Sequence, residues 1–307
     1  MKTPLAIALA LALCGGAAAP AMLAAQAANS ALSCPVPAGW AKVARLQPKF
    51  VVFGELHGTE QSPRFVGQLV CSQALRGKRV VLALEHGANF DDALQAAWKL
   101  PSGQFEQALA KLGWAGRQDG VASKAMFDLF VQMHLLKERG LPISVTAFSG
   151  ARDKQQHDRF RSLPGQGPHE AAQAENIAAA ATAQSPDLVI VLVGNLHARK
   201  APVERRGTTW DPMALQLSSH GKVVSLDMRY ATGTSWNCLM KPDARPAPGQ
   251  PIGPEQMTCG PNPAPGNANR AGPPRIELSA KTADARPNGF DGTFWVGPVS
   301  ASPPAMR

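Results

Sequence analysis

Two histidines and two glutamates stand at positions where a parallel α/β sheet holds its ligands. His57 ends the string GELH and His197 ends GNLH, and each string follows an apolar run, KFVVFG or DLVIVLVG, that reaches its glycine. Glu55 lies inside the first string, and Glu85 follows the apolar run VVLAL. Strands buried on both faces are continuous Val/Ile/Leu runs, and ligands of open α/β sheets bind beyond the carboxyl ends of the strands. We therefore expect the two histidines, although far apart in the sequence, to meet at one site.

Two imidazoles and one or two carboxylates suit two kinds of chemistry. They can hold a divalent metal such as Mn, Co or Zn, which lowers the pKa of a bound water toward about 7. Alternatively, one histidine acts as a general base on water while a glutamate orients it, and no metal is needed. The candidate catalytic residues and the candidate metal ligands are therefore the same four: Glu55, His57, Glu85 and His197.

The elements that must position these residues alternate along the chain. Strand patterns occur at 50–53, 80–84, 143–148, 188–193 and 223–228. Helical patterns occur after Ser62-Pro63 and at 90–98, 105–112, 124–138 and 170–183. This alternation predicts an α/β fold with a mainly parallel sheet flanked by helices on both faces.

The composition changes abruptly near residue 241. Nearly one residue in three of the segment 242–274 is proline, which excludes a core helix or a central strand. Aromatic residues return at Phe290, Phe294 and Trp295, too apolar to remain in solvent, and predict a late edge strand. The predicted organisation is a signal peptide at 1–27, an α/β domain at 28–240, a Pro/Gly-rich loop or disordered segment at 241–289, and a docked C-terminal strand and tail at 290–307.

The N-terminal segment 1–27 is typical of a cleaved secretory signal. An apolar stretch from Pro4 to Leu13 precedes a run of small residues that ends at Ala27. A lipoprotein attached through Cys14 is the alternative, but Leu13 is larger than the residue such signals usually carry there. The apolar stretch has about 10 residues against the roughly 20 needed to span a bilayer. We predict an exported protein, periplasmic or secreted, without a transmembrane segment.

The charge of the chain is basic, at +9, or +8 once Lys2 is removed with the signal. Lys and Arg are scattered, and Tyr230 is the single tyrosine available to stack on bases. These features do not favour nucleic acid as a partner. A small-molecule or peptide substrate is expected, and the oligomeric state is left open.

Four cysteines remain after removal of the signal, an even number in a compartment that permits disulfides. Cys238 and Cys259 bracket a Pro/Gly-rich loop and are the favoured pair, with Cys34–Cys71 second. Cys71 lies within an amphipathic helix, so a buried free thiol is the alternative there. None of the four has the spacing of a metal site.

Other polar residues are placed outside the predicted site. His86 neighbours Glu85 and is expected to point to the other side of the strand, and His134 falls among the core positions of a helix. Glu170 and Asn176 lie six positions apart on an Ala-rich helix, not on one face by i, i+4 spacing. The histidines expected at the surface are His157, His169 and His220. The chain lacks G-x-S-x-G and both glycine-rich phosphate motifs, so a serine-hydrolase elbow and a phosphate cradle are not supported.

The string GELHGTEQSP resembles the GE-x-H and GE-x-x-HG signatures of the ChaN-like haem-binding proteins and the erythromycin esterases. The paired Gly-x-x-His strings, with LALEHG between them, also resemble the Tiki/TraB proteins of the same superfamily. The resemblance covers roughly residues 50–230 and the closing strand near 290. It implies a core of parallel strands with helices on both faces, and a site built from Glu55, His57, Glu85 and His197. One residue fewer separates Glu from His than in the erythromycin-esterase signature.

Members of this superfamily hydrolyse a macrolide ester, cleave peptides with a metal, or bind haem. The leading hypothesis is an exported hydrolase of an ester or amide bond, in which the two histidines are metal ligands or water-activating bases and the two glutamates are ligands or orienting groups. The alternative is a periplasmic haem- or metal-binding protein without turnover. A third hypothesis, an inactive envelope protein, is disfavoured because an inert scaffold would not need imidazole and acidic groups at several strand ends.

Overall fold

The computed structural model describes residues 32–245, 253–280 and 287–306. The predicted signal peptide and Cys14 lie outside the described residues. The strands are β1 Phe50–Glu55, β2 Val80–Gly87, β3 Ile143–Ser149, β4 Leu188–Gly194, β5 Val203–Arg205, β6 Thr208–Trp210, β7 Val223–Ala231, β8 Gly233–Met240, β9 Met257–Ala264, β10 Arg275–Leu278 and β11 Gly292–Pro298.

The helices connect these strands in the predicted alternation. They are α1 Trp40–Ala44, α2 Gln61–Ala74, α3 Asp91–Ala97, α4 Ser102–Leu109, α5 Lys124–Glu138, α6 Lys154–Phe160, α7 Gly167–Gln184 and α8 Met213–Leu217. Helix α5 has the predicted bounds. It begins where Ser123 Oγ accepts a hydrogen bond from the Met126 N–H at 3.4 Å, and it is followed by Gly140 at φ +86°, a backbone conformation that favours glycine.

Seven strands form the main sheet in the order β10-β11-β7-β1-β4-β2-β3. Every pairing in it is parallel except that of β10 with β11. The mainly parallel α/β fold is therefore confirmed. Strand β1 lies between β4 and β7, and β4 lies between β1 and β2, so the strands that end in the two histidine strings are direct neighbours.

Helices cover both faces of this sheet. On one face, alanines of α7 and residues of α8 pack with Phe50, Val52 and Val191 in one buried cluster. On the other face, Phe65 of α2 lies with its ring 6.0 Å from Phe53 and 5.4 Å from Phe294 of β11. With both faces covered, β1 and β4 are buried along their whole length, which is why their sequences are continuous apolar runs.

The late strand was predicted at the edge of the sheet, and the structure corrects its position. β11 pairs with β7 on one side and with β10 on the other, so β10 is the edge strand. The segment 241–289, predicted as a loop or a disordered arm, also contains strands β9 and β10. β9 tolerates Pro261 and Pro263 because it belongs to a two-stranded ribbon with β8. Prolines at alternate positions can both turn their missing N–H toward the unpaired edge of such a ribbon.

Both predicted disulfides are present, Cys238–Cys259 and Cys34–Cys71. The first joins directly opposed residues of β8 and β9, and the second ties the chain before α1 to α2. The alternative of a free thiol at Cys71 is therefore wrong. Among the described residues, no helix combines the length and the apolar character needed to cross a membrane.

Candidate functional site

The four predicted site residues meet at the carboxyl edge of the sheet. Glu55, the last residue of β1, lies opposite Gly194, the last residue of β4. His57 Nδ1 lies 2.9 Å from Glu55 Oε1, and His57 Nε2 lies 3.3 Å from Glu85 Oε2. His197 Nε2 lies 3.7 Å from the other oxygen of Glu85, beyond hydrogen-bond reach. The carboxylate of Glu85 therefore stands between the Nε2 atoms of the two histidines.

The glycines of the two strings are needed for close packing rather than for an unusual turn. A Cβ atom at Gly194 would lie 2.6 Å from His57 Nε2, and one at Gly54 would lie 2.7 Å from the Cβ of Ala198. Each string thus packs against the glycine of the other. The N–H of Gly194 also donates to Glu85 Oε2 at 2.7 Å, which anchors the shared carboxylate to β4.

The loop after His57 is fixed by a second strand pair. Gly58 has φ +70°, and a Cβ there would lie 2.0 Å from the carbonyl oxygen of Trp236 in β8. The N–H of Trp236 donates to the Gly58 carbonyl at 2.9 Å, and the Gly58 N–H donates to the Gly120 carbonyl at 3.1 Å. Only glycine combines this backbone conformation with this close approach.

Glu170 belongs to the site, contrary to the sequence prediction. It lies in the first turn of α7, fully buried, with Oε1 2.7 Å from His197 Nδ1. Its other oxygen accepts a hydrogen bond from the N–H of Met213, the first residue of α8, at 2.8 Å. The i, i+4 spacing concerns pairs along one helix, whereas the partner of Glu170 is His197, on a loop that tertiary packing brings to the start of α7. One sequence signal could have indicated Glu170: it is an acidic residue in the first turn of the helix that precedes the strand leading into GNLH.

Asn176, also left outside the site, is indeed structural. Its amide donates to the carbonyls of Phe148 and Gly150 after β3. His86 and His134 pack among aromatic rings away from the site, as expected: His86 is stacked on Trp114 and His134 on Phe105.

His169 was expected at the surface but lies beside the site. Its ring is half-buried, with its centroid 5.6 Å from that of His197. The predicted surface positions of His157 and His220 are confirmed. His169 was missed because its neighbours in sequence are polar, while its position depends on where the first turn of α7 meets the loop after β4.

The carboxylates control the charge of His57. Burial alone disfavours the imidazolium, but Glu85 and Glu55 outweigh it and raise the pKa of His57 well above its ordinary value of 6.5. In turn, burial would raise the pKa of Glu85, but His57, then His197 and the Gly194 N–H, lower it to about 2. His57 and Glu85 thus form an imidazolium–carboxylate pair at neutral pH.

Neighbouring carboxylates also raise the pKa of His197, although by a smaller net amount than that of His57. Burial lowers its pKa, while the hydrogen bond that it donates to Glu170 and the charge of Glu85 raise it, and the net pKa is above 6.5. The nearby charge of His57 opposes this rise. The two imidazoles therefore differ in their environments although both are backed by a buried carboxylate.

Both imidazoles reach solvent, with 27% of the His57 side chain and 15% of the His197 side chain exposed. Each Nδ1 is occupied by a carboxylate, and both Nε2 atoms face Glu85. Within residues 32–245, 253–280 and 287–306, no group of three or more His, Cys, Asp and Glu side chains is arranged to hold a metal ion. A bound divalent metal stays a prediction from the sequence. The arrangement is suited to acid–base chemistry on a water molecule.

No family model and no curated protein sequence matches the chain. Solved structures similar to the chain were found. A mutant of the erythromycin esterase EreC in its open conformation is 13% identical, with a TM-score of 0.57, over 86% of this chain and 94% of that chain. A succinoglycan biosynthesis protein is 12% identical, with a TM-score of 0.55, over 94% and 100%. ChaN of Campylobacter jejuni, solved with cofacial haem, is 12% identical, with a TM-score of 0.36, over 61% and 84%.

At these identities the likeness concerns the fold alone. The resemblance in fold to the erythromycin esterases, predicted from the GELH and GNLH strings, is confirmed. Haem binding stays a prediction from the sequence resemblance.

Proposed function

We propose that this protein is an exported hydrolase of an ester or amide bond, and that His57 and His197 carry the reaction. One observation carries the proposal: each histidine is held at Nδ1 by a buried carboxylate, Glu55 at 2.9 Å and Glu170 at 2.7 Å, so that the two Nε2 atoms turn toward the same point beside Glu85. A carboxylate behind an imidazole sets its tautomer and stabilises the imidazolium that forms when it accepts a proton.

The two histidines have different roles in this proposal. His197, whose Nε2 is out of hydrogen-bond reach of Glu85 at 3.7 Å, is the general base. His57, which Glu85 and Glu55 hold protonated, supplies positive charge beside the substrate oxygen on which negative charge develops. Environments that separate the pKa values of two neighbouring groups are the usual basis of such a division between acid and base.

In the proposed ester reaction, His197 takes one proton and returns it within the same turnover. His197 Nε2 takes a proton from water as the water oxygen bonds to the carbonyl carbon, and the resulting oxyanion is stabilised by the positive charge of His57. When the bond to the leaving oxygen breaks, the imidazolium of His197 gives its proton to that oxygen. The carboxylic acid product then ionises, so each turnover releases one proton and leaves both histidines in their starting states.

The comparisons support the proposal only through the fold. One of the proteins that shares this fold is an esterase, so the fold accommodates ester hydrolysis. Export is supported by the two disulfides, since such bonds persist in oxidising compartments. Intact mass of the native protein tests export: a mature chain that begins near Ala28 agrees with it, and a retained Met1 or an acylated Cys14 does not.

The activity test uses the full mature chain with p-nitrophenyl acetate, p-nitrophenyl butyrate and the matched anilide. His197→Ala is expected to reduce kcat/KM by at least about 100-fold, because general acid–base catalysis contributes about 10² to 10⁴. His220→Ala is the matched control, since this exposed histidine is remote from the site, and it should keep the wild-type rate.

Two outcomes contradict the proposal. Equal rates for His197→Ala and His220→Ala would assign any hydrolysis to non-specific surface imidazole. Absence of hydrolysis together with a strong Soret band after haem addition would favour the haem-binding alternative instead. Elemental analysis of the active protein checks that the rate does not follow metal content.

A further inference from the structure

A polar cavity lies over β7 and β11, two strands that contribute nothing to the site described above. Its volume is about 430 Å³, which is within the range of small-molecule binding sites. One wall is apolar and is formed by Phe290. The polar wall is formed by the two strands and by the loop between β9 and β10, through Asp227, Arg229, Asn269, Arg270 and Thr293. The proposed reaction gives this cavity no role.

Strand register places the cavity close to the two catalytic histidines. Asp227 of β7 lies opposite Gly54, the residue before Glu55 in β1. A Cβ atom at Gly54 would lie 2.7 Å from the Cβ of Ala198, so the residue after His197 packs over β1. Residues paired across neighbouring strands point to the same face of a sheet, so Asp227 is on the side where Ala198 packs. Since β7 is two strands from β4, the cavity lies on the order of 10 Å from the catalytic Nε2 atoms.

The loop that carries His197 also brings an arginine to this cavity. Arg199, two residues after His197, is half-buried and makes no ion pair with any carboxylate of the described residues. Burial raises the pKa of Asp227, and the positive charges of Arg229 and Arg199 oppose the rise. The guanidinium of Arg199 therefore lies near Asp227, between the cavity and the catalytic centre.

Positive charge exceeds negative charge around the cavity. The ionic side chains at or beside it are Arg199, Arg229, Arg270, Arg275, Asp227 and Glu277. Asp227 Oδ2 is bound by Arg229 at 3.1 Å, and Glu277 is bound by two arginines. Four positive and two negative charges leave these six side chains at +2. Guanidinium groups bind carboxylate and phosphate through pairs of N–H donors, so the excess favours an oxyanion as the ligand.

We propose that the cavity over β7 and β11 is the subsite for an oxyanion group of the substrate, a carboxylate or a phosphate, which Arg199 and Arg229 bind while the scissile bond lies at His57 and His197. The substrate class is then an ester or amide with an anionic group about 10 Å from the scissile carbonyl, the span between β7 and β4. Assignment of the anion to a substrate rests on the proposed hydrolysis, whereas anion binding itself is measured without turnover.

The test compares mono-p-nitrophenyl esters of succinate, adipate and suberate with neutral p-nitrophenyl butyrate, on the full mature chain. The ratio of kcat/KM for the anionic ester to that for the butyrate should rise with chain length and be highest for suberate, because its free carboxylate reaches the cavity. Added salt should reduce the ratio, since it screens the arginines.

Arginine variants locate the preference. Arg199→Gln and Arg229→Gln should each lower the suberate-to-butyrate ratio about tenfold, the size expected for one charge-assisted hydrogen bond. Arg199→Lys keeps the positive charge and should keep most of the ratio. Arg139→Gln, at an exposed arginine after α5, is the matched control and should have the wild-type ratio. Circular dichroism verifies the fold of each variant.

Calorimetric titration with suberate and with inorganic phosphate measures binding independently of hydrolysis. An anion that binds wild type and Arg139→Gln equally, but Arg199→Gln about tenfold more weakly, identifies the group that the cavity takes.

The outcomes separate the two proposals. If wild type hydrolyses the esters without preferring an anionic one, or with a preference that both glutamine variants retain, the subsite is wrong and the hydrolase proposal stands. If wild type hydrolyses none of the esters, the proposed function fails, and calorimetry decides the anion site alone. Absence of binding by both anions would then overturn the site as well.

Discussion

Histidine occurs in two contrasting environments in this protein. At the carboxyl edge of the sheet, His57 and His197 each contact buried glutamates and have raised pKa values. On β2 and on helix α5, His86 and His134 are buried among aromatic rings and have lowered pKa values. Burial disfavours the charged ring in all four cases, so the carboxylate partners make the difference.

The aromatic environments show what a histidine does when nothing stabilises its charge. His86 is stacked on Trp114 with ring centroids 4.5 Å apart, and its Nε2 lies 2.5 Å from the Leu112 carbonyl oxygen. Burial lowers the pKa of His86 to about 4. His134 is stacked on Phe105 at 4.1 Å. These rings act as neutral aromatic side chains, and four experiments test whether the contrast with the edge histidines is real.

The largest expected effect is on activity, from the edge histidines. His57→Ala and His197→Ala should each reduce kcat/KM about 10² to 10⁴-fold. Because the two rings act on one water and one substrate, the double variant should lose little more than the worse single variant. Rates of the four proteins, with folding verified by circular dichroism, give the coupling. Losses that multiply would mean that the two rings act independently.

The next effect concerns acid stability. The folded-state pKa of His86, about 4, is below the ordinary 6.5, so the unfolded chain takes up the proton first and the free energy of unfolding falls as the pH drops from about 6.5 to about 4. The loss is about 3 kcal/mol when complete. Urea unfolding at several pH values measures it. His86→Phe should flatten this part of the curve, although its stability at pH 8 is lower because the Leu112 carbonyl loses its donor.

For the edge histidines His57 and His197, the free energy of unfolding depends on pH in the opposite direction. Since their folded-state pKa values lie above 6.5, the stability they contribute is complete below pH 6.5 and is lost as the pH rises through the raised values. A stability curve of His86→Phe that still falls with the wild-type slope between pH 6.5 and 4 would contradict the assignment to His86.

A smaller effect is expected from the second aromatic histidine. His134→Ala removes a ring stacked on Phe105 and packed edge-on against Trp98, and should lower the free energy of unfolding by about 2 to 3 kcal/mol. Activity well below the melting temperature should stay within about twofold of wild type, since the ring is remote from the site. A loss of activity without a loss of stability would show that His134 is not merely a packing residue.

The smallest effect sharpens the comparison at the edge itself. Glu170→Gln keeps the shape and can keep the bond from the Met213 N–H, but it removes the charge behind His197. The pKa of His197 should fall toward 6.5, and kcat/KM should fall about 10- to 100-fold. NMR titration of the His197 ring and the pH–rate profile check both. An unchanged pKa would mean that Glu85, rather than Glu170, sets the charge of His197.

Much of the site was predictable because it follows from strand order. GELH and GNLH come directly after apolar runs, and parallel strands place their carboxyl ends at the same edge, so Glu55, His57, Glu85 and His197 had to be near each other once β1, β2 and β4 paired. His86 was likewise predictably separate from the site of Glu85, because consecutive residues of a strand point to opposite faces. Disulfide pairing was also predictable, from an even number of cysteines and the loop between Cys238 and Cys259.

What the sequence determined by itself is therefore the local part: the apolar runs that become buried strands, the residues at their ends, and the support of His57 by Glu55 two positions earlier. Only the tertiary structure decided the rest. Glu170 and His169 reach His197 because the start of α7 packs against the loop after β4, a contact between segments separated by a whole helix and strand. Likewise, Trp236 of β8 donates a hydrogen bond to the Gly58 carbonyl although the two residues are far apart in the sequence. Such contacts depend on how finished elements pack, and no periodicity or motif of the sequence records that packing.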